Sequence, residues 1–139
     1  MSATELDAAA LAVLASVEAA HELHAARVWR LAEIDARSEV LIAQGFAFAG
    51  KVFSMSTVAQ INLTALNASR DDPAITYPIN YNAVDDSGVH AIADAAELRT
   101  MYLTALGTKR AWLDAGTAIK TAIRAATTAA EVLAVEDQR

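Results

Sequence analysis

The residues able to do chemistry are few and scattered. Glu18-Ala19-Ala20-His21 has the Glu-x-x-His spacing by which one helix can offer two ligands to a carboxylate-bridged metal pair, and His24 continues that face one turn on. A complete centre needs a second such motif and two more facing carboxylates. The second motif is missing, because His90 falls in an expected strand with no suitable glutamate beside it. Glu18, His21 and His24 therefore read as the face of a helix, with the histidines as buried hydrogen-bonders or spacers. Asp85-Asp86-Ser87-Gly88 could hold a calcium ion loosely, but it lacks the EF-hand spacing and reads as a hydrated turn. There is no Gly-rich phosphate loop and no Gly-x-Ser-x-Gly elbow. The chain has no cysteine, which removes disulfides and thiolate metal ligands. No catalytic, cofactor-binding or metal-ligating residue is assigned, and the expectation is a protein that is not an enzyme.

What must position these residues is a chain organised around Gly45-Phe46-Ala47-Phe48-Ala49-Gly50-Lys51-Val52-Phe53-Ser54. All three phenylalanines of the sequence lie in it. Gly45 can end a preceding helix in a left-handed conformation. Phe46 and Phe48 share one face of a short strand, and Ala49-Gly50 offers a reversal. A type I′ turn needs positive φ at both central residues, so Ala49 favours a longer turn with Gly50 in the left-handed position, and the register stays open.

Before this hairpin, Ser2-Ala3-Thr4-Glu5 resembles a capping box, and neither proline nor glycine appears until Gly45. A helix of about forty residues, about 60 Å long, is predicted. Leu6, Ala10, Val13, Val17, Ala20, His24, Leu31, Ile34 and Leu41 alternate in spacing between three and four, with Arg27 and Ser38 as weak points that Val28 and Trp29 can locally replace. The expected organisation is a helical stem over residues 1–44 and a small head over 45–139. The plainer alternative is two helices broken near His24 and packed on their own domain. The stem is expected to self-associate through Leu6, Val13, Val17, His24, Leu31, Ile34 and Leu41. Gathering copies of His24 makes it acid-sensitive, so acidification toward pH 5 is expected to loosen it unless a carboxylate compensates.

After the hairpin, Ser56 caps an expected helix from Thr57 to about Ala68. Ile75, Tyr77, Ile79, Tyr81 and Ala83 then alternate with polar residues and Pro78, the signature of a half-buried strand at a sheet edge or beside a bulge. Val89 to Ile92 is expected to return as its partner. With the hairpin this makes a small antiparallel sheet of about four strands. Asp94 caps a long helical region that Gly107 is expected to kink or split, and Thr128-Ala129-Ala130-Glu131 starts a short last helix. The class is α+β, mostly α. The expected head core is Phe46, Phe48, Phe53, Tyr77, Ile79, Tyr81, Trp112 and Ile119.

Composition narrows the partners. The chain has 139 residues and a net charge of −6, and about a quarter of it is alanine, which favours helix but buries little area. Seven acids against three bases in residues 1–44 make the stem acidic. Nothing resembles a basic nucleic-acid footprint, a signal peptide or a membrane span. Two glycosylation sequons, at Asn62 and Asn67, read as coincidences.

From about Arg37 onward the sequence resembles a small domain of unknown function carried by tailed bacteriophages in virion genes near the tail fibres. The similarity rests on Arg37, Gly45-Phe46-x-Phe48-x-Gly50 with Phe53, Ala59-Gln60-Ile61-Asn62, Tyr77-Pro78-x-x-Tyr81-Asn82 and Gly116-x-x-Ile119-Lys120. Members usually carry a longer insertion after the middle helix. The resemblance implies a structural or assembly role in the virion, after synthesis in the host cytoplasm, and supplies no catalytic residues. The expected function is a non-enzymatic attachment or adaptor part of the tail or tail-fibre region. It would be an oligomer, expected to be a trimer from the prevalence of threefold phage fittings, contacting other virion proteins. A capsid cement protein, a tail-fibre assembly chaperone and a metal-dependent enzyme using Glu18, His21 and His24 are the competing readings.

Overall fold

The computed structural model describes residues 1–84 and 87–139. Helix α1 spans Ala3–Ala43 and is followed by strands β1 (Phe46–Phe48) and β2 (Lys51–Phe53), then helix α2 (Thr57–Ala68). Strands β3 (Ile79–Asn82) and β4 (Val89–Ile92) come next, then helices α3 (Ala95–Ala125) and α4 (Ala129–Ala134). The fold is α+β and mostly α.

Local signals explain most boundaries. At the start of α1, the Glu5 N–H donates to Ser2 Oγ and the Ser2 N–H to the Glu5 carboxylate, the reciprocal pairing of a capping box. At its end Gly45 takes φ +95°, and its N–H returns to Ile42 O. Ser56 Oγ caps α2 through the Ala59 N–H, Asp94 caps α3 through that of Glu97, and Thr128 caps α4 through that of Glu131. Helix α3 is continuous through Gly107 and Gly116, so neither glycine splits it.

The strands differ from expectation in three ways. They form two separate two-stranded antiparallel sheets, β1–β2 and β3–β4, in place of one sheet of four. Phe48 pairs with Lys51, so the β1–β2 loop is the two residues Ala49 and Gly50, at φ +50° and +74°. That is the type I′ geometry against which Ala49 argued; the loop carries an alanine in the left-handed region instead of lengthening. The run expected to be a strand from Ile75 pairs only from Ile79 onward, because Pro78 has no N–H to donate; the Tyr77–Pro78 peptide bond is cis. Ile79 pairs with Ile92 and Asn82 with Val89. Asp85 and Asp86 of the expected turn lie outside the described residues.

The chain divides into two compact units. Residues 1–37 group with 115–139, and 38–114 form the other unit. In the 38–114 unit, Ile42, Phe46, Phe53, Met55, Leu63, Ile92, Leu98, Met101 and Ala105 are buried together. Phe48, Tyr77, Ile79, Tyr81 and Trp112 are half-buried against them. Ile119 does not belong to this core. In the other unit Ile34, Ile123 and Val132 form a small core, against which Leu23, Leu31, Ile119 and Val135 pack.

Candidate functional site

Among the described residues, no three histidine, aspartate or glutamate side chains are placed to hold a metal ion. Glu18, His21 and His24 all stand exposed on α1. His90, which seemed in sequence to lack a carboxylate neighbour, has one: its Nε2 lies 2.7 Å from Glu97 Oε1. The strand β4 leads directly into α3, and Glu97 is the third residue of that helix, so it turns back over the junction. Its other oxygen accepts the Ala93 N–H at 2.7 Å. That bond first, and His90 second, hold the Glu97 carboxyl below its ordinary value. His90 is edge-on to Phe48 and Phe53, with ring centroids 5.5 and 6.4 Å away. The pair ties β4 to the start of α3.

The self-association candidates separate into two groups. Ile34 and Leu41 are buried and Leu31 is half-buried, so the second half of α1 is covered by its own chain. Ile34 and Leu41 are thus taken up by packing within the chain, and Leu31 in part. Leu6, Val13 and Val17 are 55%, 63% and 61% exposed, and His24 is exposed as well. With Ala10, His21 and Val28, also exposed, they form one line at spacings of 4, 3, 4, 4, 3 and 4. This is an 11-residue pattern, with Leu6, Val17 and Val28 in equivalent places. Such a repeat is close to the natural α-helical period and keeps associated helices straight or slightly right-handed, unlike the left-handed heptad expected for the seam. The heptad line passes through Arg27, Leu31, Ile34 and Ser38, and beyond His24 it turns inward.

Arg27 is no weak point. Its Nη2 donates to the main-chain oxygens of Arg124 and Ala126, at 3.3 and 2.5 Å, and so caps the end of α3. Arg30 donates to Val135 O at 2.6 Å, at the end of α4, and Arg37 to Arg139 O at 3.0 Å. Lys120 Nζ meets Asp35 at 2.6 Å. Arginines spaced three and ten residues apart share one helix face, and that spacing is the signal the sequence carries for these contacts.

A family model described as Domain of unknown function (DUF4376) matches residues 25–137. The chain belongs to the DUF4376 family. The match begins at the point in α1 where the chain starts to cover the helix, so the exposed residues from Leu6 to His24 precede the DUF4376 region. Neither curated proteins nor solved structures give a match. Among the described residues, no helix is long and apolar enough to cross a membrane.

Proposed function

We propose that the protein is a non-enzymatic structural part of a tailed-bacteriophage particle, an adaptor of the tail or tail-fibre region that self-associates as a trimer along the first half of α1. The observation carrying this reading is the exposed line of Leu6, Ala10, Val13, Val17 and Val28 on a helix whose first residues are uncovered. Apolar side chains at regular helical spacing gain about 25 cal/mol for each Å² removed from water, and an isolated chain leaves that gain unrealised. The placement in a phage particle rests on the sequence similarity carried by Gly45–Phe53, Tyr77–Asn82 and Gly116–Lys120. Cross-linking mass spectrometry on purified particles tests it. The expected result is α1-to-α1 cross-links between copies, together with links from residues 38–114 to a second virion protein. Absence of the protein from finished particles would assign it to assembly instead.

A further inference from the structure

We infer that the first half of α1 holds a divalent transition-metal ion between copies of the chain, with His21 of each copy as a ligand and Glu18 orienting its ring. The inference rests on the self-association of α1 proposed above, because among the described residues one chain brings together no three side chains able to hold a metal. The site is complete only where copies meet.

Val17, His21, His24 and Val28 are all exposed and follow one another at spacings of 4, 3 and 4, so both histidines stand on the line of the valines. Around a threefold axis identical helices run parallel, and each layer of the seam is one residue repeated by every copy. The His21 layer then gathers three imidazoles above a layer of Val17. A neutral imidazole carries one N–H and one lone pair. Three lone pairs aimed at one axis find no donor among apolar side chains, and polar groups left so are costly to bury. A metal ion takes all three and keeps a fourth position for water, a tetrahedral set that zinc accepts.

The surrounding charges call for a cation, and they favour His21 over His24. Residues 1–26 carry Glu5, Asp7, Glu18 and Glu22 and no lysine or arginine. Association along this stretch gathers carboxylates with no base to offset them, and a bound dication relieves that repulsion. An anion or a nucleic-acid backbone would add to it. Glu18, itself exposed, lies one turn before His21, at the three-residue spacing that makes side chains neighbours on a helix. A carboxylate so placed accepts the second N–H of a ligating ring and fixes its orientation. His24 has Arg27 one turn beyond it instead. That guanidinium is tied to the main-chain oxygens of Arg124 and Ala126, and its charge opposes a second cation close by.

The test is sedimentation of the full chain in EDTA and in zinc chloride, with cobalt(II) titrated in parallel and followed by its visible absorption. Zinc is expected to lower the concentration at which the oligomer dissociates by about tenfold or more, equivalent to ~1.4 kcal/mol, and EDTA to reverse this. Tetrahedral cobalt absorption should saturate at about one ion for three chains. His21→Ala should sediment alike in EDTA and zinc and give no cobalt band. Glu18→Gln should keep the band but weaken cobalt affinity about tenfold, whereas Glu22→Gln, which removes the same charge from a different face, should leave that affinity unchanged. An oligomer that ignores zinc and gives no cobalt band would overturn this inference and leave the self-association of α1 standing. A chain monomeric under both conditions would overturn self-association, and the shared site with it. One cobalt for each chain, or cobalt binding that survives His21→Ala, would also overturn the inference, by giving the metal to the surface of a single helix.

Discussion

Gly45→Ala should be the most damaging single-methyl addition in the 38–114 unit. Gly45 holds φ +95°, and a Cβ there would lie 2.3 Å from the main-chain oxygen of Phe53 and 3.2 Å from Val52 Cγ1. Left-handed geometry alone costs an L-residue about 1–2 kcal/mol. The overlap adds to this, because the atom struck is backbone of β2, in the residue paired with Phe46, and cannot swing aside. Moving it separates two phenylalanines that are 1% and 0% exposed, with rings 5.6 Å apart. The expected total is about 3 kcal/mol or more, which is roughly 10 °C in melting temperature for a chain of this size. Gly50→Ala is the internal control: φ is +74°, but nothing lies within 4 Å of the new Cβ. It should cost only the strain, about 1 kcal/mol. Thermal melts followed by circular dichroism compare the two. If both variants melt at the same temperature, the close approach of α1's end to β2 does not constrain the fold as argued.

Ala49→Asn should stabilise by about 1 kcal/mol, read as a higher urea midpoint, because asparagine tolerates the left-handed geometry that Ala49 holds at φ +50°. Arg27→Met removes charge-assisted bonds to two carbonyls, each class worth about 1.5–3 kcal/mol before solvent discounts it. Hydrogen exchange should quicken across 127–135 and stay unchanged in 46–53. Glu97 has a depressed carboxyl value in the folded state, so its contribution is present above the ordinary value of 4.5 and is lost as pH falls through the folded one. Wild-type stability should therefore drop more steeply below pH 4.5 than that of Glu97→Gln.

Much of the fold was legible because it is written locally. Ser2, Ser56, Asp94 and Thr128 announce helix starts within three or four residues of chain, and the Gly45–Ser54 run announces the hairpin. Pairing between distant segments is not written that way. Four strands were visible, but nothing in them says that β1–β2 and β3–β4 stay separate. The sequence of α1 shows which positions are apolar, but not what covers them: Leu31 and Ile34 look the same whether a second copy or the chain's own Ile123 and Val132 meets them. Arg27, Arg30 and Arg37 act on carbonyls about a hundred residues away, and in the sequence Arg27 reads only as an interruption of the seam. The His90–Glu97 pair was within reach, since Asp94 fixes the start of α3 and places Glu97 in its first turn.

The central claim is that the exposed first half of α1 holds copies of the chain together. Analytical ultracentrifugation of the full chain over a range of concentrations, with Val17→Asp beside it, tests this most directly. Val17 is 61% exposed, so the aspartate leaves the fold of a single chain intact and acts only on association. The account predicts an oligomer, three copies in our reading, that dissociates on dilution, and a variant that is monomeric at the same concentrations with an unchanged circular dichroism spectrum. Wild type and variant sedimenting alike, both as monomers or both as the same oligomer, would contradict it.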